Sequence, residues 1–277
     1  MSRFDLYSEV EKTGDVPVGL TIAGSDSGGG AGIQADLKTF AACRVFGTSV
    51  LTLITAQNTT GVTAVNILDE ALIRAQFEAV MSDLAPKAAK TGALGNAETI
   101  KVVAELLTES PVEQLVVDPV MISKHGVSLM DEEGHKALRE DLLPHAFLVT
   151  PNRFEAGALT GRDGVETANQ MKEAARRIFD FGAKHVVVKG GHFNKIVRDI
   201  YYDGTGFVEF GADRVDSERV HGSGCVFSAT ITARIAREDS LLDALGFARE
   251  FISGAIDRAP QIGGGISPVN PMHHYWR

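Results

Sequence analysis

Cysteine is scarce: only Cys43 and Cys225 occur in 277 residues. Two thiols exclude a disulfide framework and a cysteine-built zinc cluster, and they fit a reducing, cytoplasmic setting. Basic residues are in deficit, with 27 Lys+Arg against 36 Asp+Glu and a formal net charge of −9. That balance argues against nucleic acid or an anionic membrane as the main partner, while local basic sites for small anions stay open. No run of about 18 apolar residues is present, and the first segment, "MSRFDLYSEVEKTGDVPV", lacks an apolar stretch behind a basic start. The expectation is a soluble, unexported chain. Internal repeats and low-complexity linkers are absent as well.

What the chain has is alternation. The β-branched runs "VGLTIAG", "TSVLTLITAQN", "QLVVDPVM", "FLVTPN" and "HVVVKGG" read as strands buried on both faces. Between them, "EALIRAQFEAVMSDL", "NAETIKVVAELLTE" and "ANQMKEAARRIFDFG" repeat apolar residues at three- and four-residue steps, the period of a half-buried helix. Strand-helix alternation over most of the length predicts an α/β fold with a mostly parallel sheet and helices on both faces. "VRDIYYDGTGFVEFGADRV" breaks the rhythm and reads as a β-hairpin. Residues 1–16 are charged and unpatterned and are read as a tail, leaving 17–277 as one domain.

In an open α/β sheet, ligands bind beyond the carboxyl ends of the strands, so the residues after each strand are the candidates for chemistry. "AGSDSGGGAGIQADLKTF" offers a glycine-rich loop holding Ala31, with Asp36 one turn into the following helix. The loop suits an anion or a flat ring, and equally a plain tight turn. Gln57 in "TAQNTTGV" can give a heterocycle a donor and an acceptor, or cap a loop. Asp118 in "VVDPVM" and the pair Asn152 and Glu155 in "TPNRFEA" suit magnesium and its waters, or a simple cap and a capping box. Lys189 ends a valine run, placed as a point charge for phosphate or as a snorkelling surface lysine. The most specific stretch is "RVHGSGCVFSAT": Gly222, Ser223, Gly224 and Cys225 open a helix whose first amides and dipole converge on one spot. That is an anion hole suited to a transferring phosphoryl group, or a helix cap with a small buried thiol.

These stretches, with "GGGISPVNPMH", follow the order and spacing of the hydroxymethylpyrimidine kinase/phosphomethylpyrimidine kinase family, which the chain resembles from about Leu20 to its end. The resemblance implies a ribokinase-like three-layer α/β/α sandwich with a small β-hairpin near one edge. It also implies ATP and Mg2+ as cofactors, a homodimer, and a role in making the pyrimidine half of thiamine diphosphate. Carried over by motif, Ala31, Asp36 and Gln57 hold the aminopyrimidine and Val120 lines its pocket. Asn152 and Glu155 support Mg-ATP beside Asp118, Lys189 meets the phosphates, and the 222–225 turn is the anion hole with Cys225 nearest the acceptor oxygen.

Two departures stand out. Ala93 replaces the family's common methionine in Gly92-Ala93-Leu94, and "SKHG" at 123–126 differs from the usual small-residue version. The first keeps a pyridoxal kinase reading open, and a non-catalytic pyrimidine-binding regulator is a third. Most sugar kinases of the superfamily carry Asp where this family has Cys. A carboxylate there would repel an acceptor that is already a phosphate, whereas a thiol can stay neutral or ionise at a helix start.

Overall fold

The computed structural model describes residues 16–121, 130–162, 164–190, 192–193 and 196–276. The tail expected at the N-terminus, beyond Val16, and the 123–126 segment lie outside these residues.

The chain begins with β1 (Val18–Asp26), α1 (Gly32–Ala42), β2 (Phe46–Asn58) and β3 (Gly61–Ile67). Next come α2 (Glu70–Asp83), β4 (Ala88–Thr91), α3 (Ala97–Glu109), β5 (Leu115–Val117) and α4 (Glu132–Ala137). Then β6 (Leu148–Val149), α5 (Arg153–Thr160), α6 (Ala168–Phe179) and β7 (His185–Val188) follow. The last elements are β8 (His192–Phe193), β9 (Ile196–Tyr202), β10 (Phe207–Asp213), α7 (Ser223–Ala236) and α8 (Leu241–Asp257).

One sheet orders these strands β10-β9-β7-β6-β5-β4-β1-β2-β3, with β8 paired to β9. Its centre, from β7 to β2, is parallel. Both edges turn antiparallel: β9–β10 is the expected hairpin, and β2–β3 is a second that the sequence pattern does not announce. Residues 61–67 are mostly exposed, so they lack the apolar run that marked the central strands.

Successive strand residues point to opposite faces, and two cores follow from that period of two. Leu115, Val117, Val186 and Val188 join Ile73, Phe77, Ile100 and Met171 from α2, α3 and α6 on one side. Val116, Val187 and Ala88 join Phe40, Ile231 and Phe251 from α1, α7 and α8 on the other. These are the three layers the family resemblance implied. No described helix is long and apolar enough to cross a membrane.

Helix starts are fixed locally. Asp69 and Asn96 cap α2 and α3 by accepting the amides of Leu72 and Thr99. Helix α7 differs: Gly222 at its start has φ 75° and no side chain caps it.

Candidate active site

Strands β1, β4, β5, β6 and β7 all end on the same edge of the sheet, and a cleft of about 510 Å³ opens there. It brings together every residue the sequence singled out: Ala31, Asp36, Gln57, Asp118, Val120, Asn152, Glu155, Lys189 and the 222–225 turn. Loops separated by up to about two hundred residues meet because parallel strands deliver their carboxyl ends to one side.

The turn at Gly222–Cys225 forms one wall. A Cβ on Gly222 would stand 1.8 Å from the carbonyl oxygen of Gly30, so glycine is required there both for its left-handed φ and for this close approach. A Cβ on Gly224 would stand 3.5 Å from Lys189 Nζ and 3.8 Å from Asp118 Oδ2, so the ammonium faces the start of α7. Lys189 Nζ donates to Asp118 Oδ1 at 3.0 Å, and Ser228 Oγ donates to Asp118 Oδ2 at 3.0 Å. Burial works against both charges. It is outweighed at Asp118 by Lys189 and Lys90, which hold the carboxyl below the usual carboxylate range. Asp118 and Glu155 likewise keep the Lys189 ammonium above the ordinary lysine value. Lys189 is therefore a cation anchored in the cleft wall rather than a snorkelling surface residue.

The capping box of Asn152 and Glu155 is present. Asn152 Oδ1 accepts from Phe154 N and Glu155 N, both at 2.9 Å, and Glu155 Oε2 accepts from Asn152 N at 2.7 Å. Burial, with the charge of Asp118 nearby, pushes the Glu155 carboxyl up to about 7 against the pull of Lys189. Among the described residues no group of three or more His, Cys, Asp or Glu side chains gathers around a metal position.

Asp36 reaches the cleft only as half of a pair. Its Oδ1 accepts from Lys90 Nζ at 2.8 Å and its Oδ2 from Thr21 Oγ1 at 2.7 Å, and Asp36 and Lys90 are both 0% exposed. The cleft floor thus presents a carboxylate already engaged by a cation, not a lone acceptor. Cys225 stands beside them. Burial pushes its thiol up to about 12, with Lys90 opposing and Asp36 and Asp118 adding to the rise. Of the two alternatives, a thiol that stays neutral or one that ionises, this environment favours the neutral thiol: desolvation and two carboxylates outweigh Lys90 and the Gly32 amide.

Three cleft residues escaped the sequence reading. Lys90 lies on β4, "AAKT", four residues without the β-branched signature that marked the other strands. Asp26 and His221 sat inside quoted motifs but look like turn formers; they meet at 3.0 Å between Asp26 Oδ2 and His221 Nε2. An aspartate two residues before a run of glycines was the available signal, because its carboxylate can collect their amides.

A parallel sheet between two helical layers, with a helix start and an anchored lysine facing each other across its strand ends, defines a ribokinase-like phosphotransferase. Comparison with known proteins agrees: the phosphomethylpyrimidine kinase family matches residues 26–270. The chain belongs to that family. It is 44% identical over 253 residues to the hydroxymethylpyrimidine/phosphomethylpyrimidine kinase of Bacillus subtilis (strain 168), covering 91% of this chain and 93% of the relative. Among solved structures, an ADP complex of Bacillus subtilis pyridoxal kinase superposes with a TM-score of 0.89 at 36% identity, covering 95% of this chain and all of the other. The phosphomethylpyrimidine kinase of Clostridium difficile 630 superposes with a TM-score of 0.77 at 40% identity, covering 87% and 99%.

Proposed function

We propose that the protein phosphorylates 4-amino-5-hydroxymethyl-2-methylpyrimidine on its alcohol and then phosphorylates the monophosphate to the diphosphate, using ATP and Mg2+, in thiamine diphosphate biosynthesis in the cytoplasm. One observation carries the reading: an uncapped helix start faces an anchored lysine across a cleft whose other wall is a glycine-rich loop. The activity for which the Bacillus subtilis relative is named supports the choice of substrate.

Phosphoryl transfer is loose and demands positioning and charge stabilisation more than covalent chemistry. In this reading the Gly224 and Cys225 amides and the α7 dipole receive the transferring group, and Lys189 neutralises phosphate oxygens. Ala31, Gln57 and Val120 surround the ring above the Asp36–Lys90 floor. A neutral Cys225 neither repels an acceptor phosphate nor needs to act as a strong base, since the acceptor keeps its proton until late in a loose transition state. The side chains near the nucleotide fit Mg2+ as a water-rich ion: Glu155, Asp118 and Asn152 already serve Lys189, Ser228 and backbone amides, so they supply few direct ligands. Glu155, with its raised pKa, is the carboxylate a nearby cation would relieve. When bound, Mg2+ adds charge neutralisation on the phosphates. A homodimer is part of the proposal, supported by the exposed Ile54, Val65 and Ile67 on the β2–β3 edge.

A second reading, pyridoxal kinase, is favoured by the higher TM-score of the pyridoxal kinase structure and by the short Ala93 wall. A regulator without catalysis would have no use for Lys189, Glu155 and the 222–225 turn together. The deciding experiment measures ATP consumption with hydroxymethylpyrimidine, its monophosphate and pyridoxal as acceptors. Turnover of both pyrimidines is expected; turnover of pyridoxal alone overturns the first reading. Cys225→Asp should lose the second step at least about tenfold more than the first, because like charges repel in a buried site.

A further inference from the structure

Two glycine-rich turns, 195 residues apart, converge on a single carboxylate. Asp26 Oδ1 accepts from Gly28 N at 2.8 Å, and its Oδ2 accepts from Gly30 N at 3.1 Å and Ala31 N at 2.9 Å. The same Oδ2 receives His221 Nε2 at 3.0 Å. Because an ionised carboxylate only accepts, His221 is the donor at that nitrogen. Both residues are buried and line the cleft. His221 is fixed in turn by its backbone, which donates to Ser267 O and accepts from Val269 N.

The seam between the turns is tight. A Cβ on Gly30 would stand 2.4 Å from the His221 ring, as one on Gly222 would collide with the Gly30 carbonyl. Gln57 joins the same seam: its backbone N donates to Ser27 Oγ at 2.8 Å, and its Nε2 lies 3.4 Å from His221 Nε2. Burial opposes the Asp26 charge, but His221 and the loop amides hold the carboxyl below its usual range. A buried charge is an expensive staple where apolar packing would hold a fold as well, and what it adds here is a fixed relation between two loops.

We propose that Asp26 and His221 are positioning residues, holding the acceptor loop 26–32 in register with the turn 219–225 so that acceptor and transferring group stay in line. The inference rests on the kinase reading above for its catalytic consequence, but its mechanical content does not.

The test compares His221→Leu with His221→Gln, whose amide can still donate to Asp26 Oδ2, and with Asp26→Asn. Amide hydrogen exchange on the free protein needs no substrate. His221→Leu should speed exchange at Gly28, Gly30 and Ala31 by about tenfold or more, the loss expected when a charge-assisted hydrogen bond is removed. Protection left unchanged at those amides overturns the proposal, whatever the substrate proves to be. In the acceptor assay, His221→Leu should lower kcat by about 10²-fold with KM for ATP nearly unchanged, since small misplacements cost that much. It should also raise the ATP hydrolysed per phosphoryl group transferred, as water takes the place of a displaced acceptor. His221→Gln should regain at least about tenfold of the lost kcat. Equal loss in the Leu and Gln variants, with coupling intact, would assign the pair to folding alone. Asp26→Asn guards against a Leu variant that does not fold, because it keeps the shape and one acceptor oxygen; it too should uncouple hydrolysis, and tight coupling in it overturns the proposal.

Discussion

Removing Lys90 strands a carboxylate. Its ammonium is the ionic partner of Asp36, both side chains are sealed from solvent, and Thr21 supplies the remaining hydrogen bond. In Lys90→Met the methylene stem is kept and the charge is lost, so the cost is that of an unpaired buried carboxylate, about 3–5 kcal/mol. For a chain of this size that corresponds to a fall in Tm of roughly 6–20 °C. Lys90→Met/Asp36→Leu removes both charges and should recover most of the loss, since a well-packed apolar pair often replaces a buried ion pair without penalty. The sign with pH follows from the two groups. Lys90 is raised above the ordinary lysine value, so its contribution is intact below about pH 10.4 and disappears as pH rises through its folded value. Burial raises Asp36 against the pull of Lys90, and without Lys90 it rises further. The folded single variant then binds a proton that the unfolded chain does not, so its deficit should shrink as the pH falls below neutral. Urea unfolding of the three proteins across that range measures all of this. A double variant no more stable than the single, or a single variant within about 1 kcal/mol of the parent, would refute the reasoning, because both outcomes mean that the pair is not a sealed ionic one.

Two further outcomes follow from the same cleft. With its thiol pushed up to about 12, Cys225 should react with iodoacetamide at a rate that climbs in proportion to hydroxide up to pH 10, whereas a plateau near the ordinary thiol value would show that the helix start wins over burial. Gly222→Ala places a methyl 1.8 Å from the Gly30 oxygen at a φ of 75°; it should abolish most transfer activity while the protein stays folded, and an active variant would mean that the two turns are not in fixed contact.

The architecture was legible because the central strands β5 and β7 carry nearly pure Val and Leu, the usual composition of a strand buried on both faces. The β2–β3 hairpin was not, since an exposed edge strand has no such constraint. The site was legible in a different way. Gly222 and Lys189 announced themselves because each broke a local rule: a helix without a cap, and a charge ending a valine run. Lys90, Asp26 and His221 broke none. Lys90 sits in a strand too short to show a period, Asp26 closes β1 just before a turn, and His221 precedes the turn into α7, places where polar residues are ordinary. Their importance is pairwise, and apart from the glycines that follow Asp26 a pair 195 residues apart in the chain has no local signature.

That difference has a chemical consequence. The residues readable one at a time, Lys189 and the 222–225 turn, are those that in the proposed function face small diffusible anions and must carry their own charge or dipole to do so. The residues readable only as pairs face each other: the charges of Lys90 and Asp36 cancel inside the protein, and the Asp26 carboxylate is taken up by His221 Nε2 and the loop amides. On the proposed function, a cleft that admits both a neutral alcohol and its phosphate benefits from that division. The Lys90–Asp36 pair presents no net charge to the acceptor, and burial keeps the Cys225 thiol beside it neutral. Positive potential is left where Lys189 and the α7 dipole supply it, at the proposed point of transfer. Leaving one charge of the Lys90–Asp36 pair uncompensated should therefore alter the preference between the two acceptors, not merely the overall rate.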